Sequence, residues 1–527
     1  MKAREGLNDM KSGWMKGTMI LTITAFFVKL LSLLYKVPYQ NISGDEGLYV
    51  FQQVYPLIGI YTTLNGVVLP TIISELLLTH QYSEDVKRYI KNSLWIFGLV
   101  SFVGLFLGSH FIAYTMGDMQ LTWIIRVVAL AFLLIPIISY WRGVAQTRAN
   151  TIQVVAYSTT IEQLIRVGAI IFALVMIQGQ NIYRLAYFAY LGGLFGPLLA
   201  IVYLFAKHLD DQPQIYLKMK RRPRFLKKSI YLFLSAGILI IFQLIDSFFV
   251  FNSLVNSGVP SLEAMALKGS FDRGLPIVQT ATVFTGAIVS STVPQMVGLR
   301  ESKERKKVFN TSLFMVIALS IPACVGLFNV VDELNIALFK DNGGIDALRL
   351  LTLQVLFYPF IFLCMAIMQQ EEQYTKLLIS VLGGVLVKIS LTAPLTSSLG
   401  ISGTAIASVA SLGIMALINL YQFRKMIYKS SFINLLKVGF SSAGIWLVLT
   451  YIEPQIPKIL SGLDDVRVYN MISLAIQALA GILVYAVLMG IFLMTSQAAT
   501  KRSRRRKQKQ KRQQAQAKAQ SVRSGAE

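Results

Sequence analysis

The sequence predicts an all-α integral membrane protein. It would have fourteen transmembrane helices, arranged as two six-helix lobes related by a pseudo-two-fold axis, with two extra helices at the C-terminus. Three observations carry this reading. Of the 527 residues, 54% are hydrophobic and only 14% are charged, whereas soluble domains carry about a quarter charged residues. Apolar runs of about 20 residues, the length a helix needs to cross a bilayer, recur along the whole chain. Lys and Arg concentrate on alternate connecting segments. The composition excludes an ordinary soluble enzyme and a disordered or fibrous chain.

The apolar runs fall at 15–37, 49–78, 92–114, 121–145, 152–177, 183–206, 229–252, 271–297, 309–331, 347–370, 377–396, 401–423, 435–452 and 470–495. They are continuously apolar and lack the alternation of barrel strands, so each reads as a helix. The runs at 377–396 and 435–452 are the shortest. The first run is too long for a cleaved leader, contains Lys29 and is followed by no small-residue cleavage site.

Orientation follows from the basic residues. With the N-terminus in the cytoplasm, the inner segments hold 38 Lys and Arg and the outer loops 5. Positive charge stays on the cytoplasmic side during insertion, so both termini are expected inside. The net charge of +24 is then mainly a topology signal plus attraction to anionic lipid, not a sign of nucleic-acid binding. The tail from Lys501 to Glu527 has no apolar face to bury and is expected to be a disordered polybasic segment on the inner leaflet.

The chain also repeats itself. Arg126, Pro136 and Gln146 match Arg349, Pro359 and Gln369 at an offset of 223, and Arg166 matches Lys388 at 222. Pro70 matches Pro294, and Gly47-Leu48 with Gln52 echoes Gly274-Leu275 with Gln279. Six spans per repeat bring both copies in from the same side, which implies an axis along the membrane normal and a cleft between the lobes. The expected organisation is an N-tail at 1–14, an N-lobe at 15–206, a basic linker at 207–228, a C-lobe at 229–423, two added helices within 424–495 and the tail at 496–527.

Charges within the spans are costly, about 2.5–3.5 kcal/mol each on insertion scales, and mark cavities or pairs. The bases are Lys29, Lys36, Arg126, Arg166, Arg273, Arg349 and Lys388, and the acids are Glu75, Glu162, Asp246 and Asp272. Glu162 and Arg166 are spaced i,i+4 and read as a structural pair. Arg126 and Arg349 lie early in their spans and can reach the interface. Lys29, Asp246, Asp272 and Arg273 have no such local explanation. The surplus of bases predicts a cationic cleft suited to an anionic substrate, because Lys and Arg are the usual partners of phosphate. No phosphate-binding loop, hydrolytic triad or metal cluster appears. Cys324 and Cys364 both lie in apolar runs, and the three histidines, His80, His110 and His208, are scattered.

Two segments carry a resemblance. KLLSLLYKVPYQNISGDEGLYVFQQVYP, Lys29 to Pro56, resembles stage V sporulation protein B-like proteins. FDRGLPIVQTATVFTGAIVSSTVPQM, Phe271 to Met296, resembles the eighth-span motif of MurJ-like lipid II flippases, whose Asp-Arg pair falls on Asp272-Arg273. Both belong to the polysaccharide-transporter branch of the multidrug/oligosaccharidyl-lipid/polysaccharide flippase superfamily. The resemblance implies alternating access and outward movement of an undecaprenyl-diphosphate-linked sugar. It places cavity arginines of the first span on Lys29 and near Lys36, where lysine keeps the charge but not the bidentate fork.

The expectation is therefore a flippase of the bacterial cell membrane and not an enzyme. Lys29, Lys36 and Arg273 would hold the diphosphate, while Asp246 and Asp272 would orient those bases or couple a cation, Na+ or H+. No cofactor or metal is expected. Expected partners are the lipid-linked oligosaccharide, membrane lipids and cell-envelope synthesis enzymes, with no nucleic acid. The alternatives are a drug or cation exporter, which would need an acidic cavity, and a non-transport scaffold that docks through its basic tail.

Overall fold

The computed structural model describes residues 2–494 apart from 81, 149–150, 178, 180, 210–223, 493 and part of 283–300; of most residues before Leu34 only the backbone is described. Among the described residues every regular element is helical. In the first half these are α1 (Lys2–Thr63), α2 (Leu69–Thr79), α3 (Glu84–Thr115), α4 (Thr122–Phe132), α5 (Ile135–Ala145), α6 (Ile152–Met176), α7 (Ile182–Gly193) and α8 (Phe195–Ala206). The second half holds α9 (Phe225–Ala236), α10 (Ile238–Asn256), α11 (Ser261–Asp272), α12 (Gly274–Ala281), α13 (Ser302–Phe339), α14 (Ile345–Thr352), α15 (Gln354–Gln370) and α16 (Tyr374–Phe423). It is followed by α17 (Lys429–Ile452) and α18 (Val466–Phe492).

Ten of these stretches are long and apolar enough to span a membrane, or eleven when the bent pair α4–α5 counts as one span. That is fewer than the fourteen spans expected, and the difference has a physical origin. The long elements α1 and α16 are each broken at a glycine, Gly44 (φ 72°) and Gly400 (φ 61°). The left-handed region is open to glycine because it has no Cβ. Both chains reverse there. Lys36 Nζ lies 4.2 Å from the Tyr55 ring centroid, although 19 residues of straight helix would separate them by roughly 28 Å. In α16 the Thr396 and Thr404 hydroxyls are 2.7 Å apart. A Cβ on Gly403 would come within 1.9 Å of the Leu395 carbonyl oxygen. The region expected to form the eighth span starts in α11 and α12, and its remainder lies partly outside the described residues.

The bend between α4 and α5 also follows from sequence. Pro136 has no N–H to give the Phe132 carbonyl, and the pair bends by 40°. The freed carbonyl lies against Gly98 of α3, where a Cβ would sit 2.9 Å from it.

The repeat found in sequence has structural counterparts. Gly179 (φ 77°), between α6 and α7, and Gly400 both take the left-handed conformation. Arg126 donates to Ser109 at 3.0 Å and Arg349 to Asp332 at 2.7 Å, each partner 17 residues back. The main apolar core crosses from one half to the other, joining Tyr39, Phe51 and Tyr61 to Val250, Phe251, Phe271 and Leu348. Lipid-length helices thus pack two halves together, and the charged groups sit where the halves meet or inside each bundle.

Candidate functional site

Arg273 occupies the break between α11 and α12 and is 1% exposed. All three guanidinium nitrogens are engaged. Nε donates to Asp45 Oδ1 at 2.8 Å, Nη1 to Asp341 Oδ1 at 2.7 Å, and Nη2 to Asp341 Oδ2 at 2.9 Å and to Asp45 Oδ2. Asp45 follows the Gly44 turn of the first half, and Asp341 follows α13 of the second. The fork of a single arginine therefore fastens the halves together, the geometry in which charge-assisted bonds are strongest. Burial raises the Asp45 carboxyl above its ordinary range despite the pull of Arg273. Burial acts in the same direction on Asp341, but the hydrogen bonds from Arg273 and the Gly343 amide outweigh it and hold that carboxyl low.

Other bonds cross between the halves at this end. Asn41 donates to the Leu338 carbonyl at 2.9 Å, Gln53 to the Ser247 carbonyl at 2.6 Å, and Asn252 to the Thr115 carbonyl at 2.9 Å. Close approach depends on Gly269 of α11, whose Cβ would meet the Asp45 carbonyl oxygen at 2.0 Å. Gly269→Ala is expected to weaken this closure by about 1–3 kcal/mol, the usual penalty for overpacking. The check is thiol labelling of a cysteine placed at Gln53, which should speed up in the Gly269→Ala background.

At the opposite end the contact between halves is lighter. Lys228, entering α9, bridges Glu75 of α2 at 2.5 Å and Glu372 beyond α15 at 3.1 Å. All three side chains are partly solvent-exposed, and such pairs contribute about 0–1 kcal/mol. Removing one partner from a buried fork such as that of Arg273 costs about 3–5 kcal/mol, so the two ends respond unequally to the loss of a charge.

Between these ends lie the remaining charges. Lys36 is buried and rests on the Tyr55 ring, with no carboxylate within ion-pair distance among the described residues. Asp272 accepts two bonds from Lys268, at 2.6 and 2.7 Å. Asp246 of α10 lies 2.5 Å from Lys388 Nζ of α16. Glu162 takes Arg166 at 2.5 Å on one oxygen and Arg142 at 2.8 Å on the other. Arg142 also donates to Ser158 at 2.9 Å and to the Asn65 side chain at 3.1 Å.

The expected site residues therefore separate. The Glu162–Arg166 pair forms as expected. Lys36 is buried and without an acid partner. Arg273 is not open to a ligand in this conformation, because two carboxylates take its whole fork. Among the described residues Asp246 pairs with Lys388 and Asp272 with Lys268. The side chain of Lys29 lies outside the described residues. Sequence reasoning missed Arg142 and Lys268: neither was counted among the in-span bases, although Arg142 falls near the end of the 121–145 run. Arg142 lies two turns into α5 and Lys268 four residues before Asp272, so helix spacing was the signal that could have found them. Asp45 and Asp341 were missed as loop acids, and only folding brings them to Arg273.

Ten or eleven helices long and apolar enough to cross a membrane, packed as two halves around buried ion pairs, define a multi-pass membrane protein. Residues 14–300 match the family described as "Polysaccharide biosynthesis protein", and the chain belongs to that family. It is 34% identical to "Uncharacterized membrane protein YabM" of Bacillus subtilis (strain 168), over 79% of this chain and 81% of that one. It is 24% identical to "Stage V sporulation protein B" of the same organism, over 82% and 90%. "Lipid II flippase MurJ" of that organism is 22% identical over 76% and 82%. Among solved structures, "Lipid II flippase MurJ, inward closed conformation" superposes with a TM-score of 0.66 at 17% identity, covering 90% of this chain and 99% of that one. An outward-facing multidrug resistance MATE transporter superposes with a TM-score of 0.55 at 17% identity, covering 78% and 95%.

Proposed function

We propose that this protein is a flippase that moves an undecaprenyl-diphosphate-linked sugar precursor from the inner to the outer leaflet by alternating access. The observation that carries this reading is Lys36. It is a lysine buried near the end of the first span with no carboxylate within ion-pair distance among the described residues, in a chain where Arg142, Arg166, Lys268, Arg273 and Lys388 all have one. Holding such a charge is costly unless an anion arrives, and a lipid-linked diphosphate supplies one. Lys29, about two turns earlier on the same helix, is the second contact in this reading.

Orientation by positive charge puts both termini inside and the Arg273 lock on the outer face. The lock then acts as the outer gate and the Lys228 bridge as the inner one. The Arg273 fork matches phosphate as well as carboxylate. Asp45 and Asp341 thus hold the place that the diphosphate takes when the outer side opens. The membrane potential, worth about 2.3 kcal/mol per charge per 100 mV, is a sufficient source of drive. The similarity to proteins described as lipid II flippase and stage V sporulation protein B supports a cell-envelope substrate.

The test is depletion in cells with no redundant flippase, followed by measurement of lipid-linked precursor exposed on the outer leaflet. Exposure is expected to fall, and unchanged exposure refutes the proposal. Deleting 501–527 separates transport from scaffolding, since a flippase largely keeps its function and a tail-docked scaffold loses it. An exporter of cationic drugs is disfavoured because the buried Lys36 offers such a substrate no acidic partner.

A further inference from the structure

The acid that was expected to couple a diffusible cation already holds a cation that belongs to the chain. Lys388 is fully buried in the first arm of α16, and its Nζ lies 2.5 Å from Asp246 Oδ1 and 2.5 Å from Ser408 Oγ, to which it donates. Ser408 comes from the returning arm of the same hairpin, and Asp246 from α10. Hydroxyls continue outward from this point. Thr392 is one turn beyond Lys388, Thr404 one turn before Ser408, and Thr396 and Thr404 touch at 2.7 Å. A small cavity lies beside Asp246 and Ser408, lined also by Gln243, Gln279 and Gln354 and by the apolar Leu239, Phe242, Leu275 and Val278.

The repeat shows that this is not an ordinary helix-surface pair. Arg166, the counterpart of Lys388, takes an acid four residues back on its own helix. Four residues before Lys388 stands Gly384, so Lys388 must reach another helix for its carboxylate. A carboxylate and a hydroxyl are oxygen donors of the kind that hard cations select.

We infer that Lys388 is a tethered cation: its ammonium fills an oxygen-lined monovalent-cation site formed by Asp246 and Ser408, and removing it opens that site to Na+. This inference is independent of the substrate reading above, and its test needs no substrate. In the native chain the site is closed to metal ions, so Na+ binding at Asp246 is not part of the transport cycle.

The experiment follows thermal unfolding of the purified full-length protein in NaCl and in choline chloride at equal ionic strength. The native protein is expected to unfold at the same temperature in both. Lys388→Ala leaves the Asp246 carboxylate without its ammonium and should unfold roughly 3 °C or more higher in NaCl than in choline, as a ligand that binds only the folded state requires. Asp246→Asn/Lys388→Ala has no charge to satisfy and should lose the Na+ response. Three results overturn the inference. The first is a Na+ response in the native protein equal to that of Lys388→Ala. The second is stabilisation of Lys388→Ala by acid but not by Na+, which makes the site a proton acceptor. The third is failure of Lys388→Ala to fold in either salt while the double variant folds.

Discussion

Arg273→Ala is expected to abolish the proposed transport while the protein still inserts into the membrane at normal abundance. The separation of the two effects follows from where the orphaned acids lie. Asp341 is half exposed and Asp45 partly so, so both can hydrate at the end of the bundle once the guanidinium is gone. The loss falls on the closed arrangement. Removing one partner of a buried pair costs about 3–5 kcal/mol, and hydration of the acids puts the effect at the low end. A shift of about 3 kcal/mol changes the ratio of closed to open forms by roughly a hundredfold. A cysteine at Gln53, buried where it bonds the Ser247 carbonyl, reports this directly, since the native Cys324 and Cys364 are both buried. Its labelling rate should rise in the Arg273→Ala background. Arg273→Lys should rescue only in part, because a single ammonium cannot present a fork to two carboxylates. Normal transport by Arg273→Ala would remove the lock from the mechanism.

The second large effect is on stability. Glu162→Gln leaves Arg142 and Arg166 in the interior of the first half with no carboxylate between them. The expected loss is about 3–5 kcal/mol, read as a fall in membrane abundance and in unfolding temperature. Asn65 and Ser158 still meet Arg142, but neutral acceptors compensate a buried charge only partly. Adding Arg142→Met and Arg166→Met to Glu162→Gln should recover most of the loss, because apolar side chains of similar volume often replace a buried ionic cluster without penalty. Transport lost at full stability would show that Glu162 acts on substrate and is not a fastening between α5 and α6.

Much of this was legible in the chain. Lipid-length apolar runs forced helices, because backbone groups in hydrocarbon must bond within their own segment. The Pro136 bend and the Glu162–Arg166 pair followed from local rules that operate within a few residues. The charges divided differently. The sequence reading left Arg142 and Lys268 out of the in-span charges, yet both lie deep in the fold, because the acids that permit their burial are one turn away or on a neighbouring helix. A window of apolar residues cannot register that compensation.

The sequence by itself determined an all-helical membrane protein with a repeated pattern and more bases than acids within its apolar runs, since these depend on composition and spacing alone. Tertiary structure decided which bases remain unneutralised. Arg273 meets Asp45 and Asp341 from segments 228 and 68 residues away, and Lys388 meets Asp246 on another helix. Lys36 rests on the Tyr55 ring, with no carboxylate within ion-pair distance among the described residues. Charge pairing across such separations is set by how the halves dock, because Coulomb energy depends on distance in space and on the surrounding dielectric and not on distance along the chain.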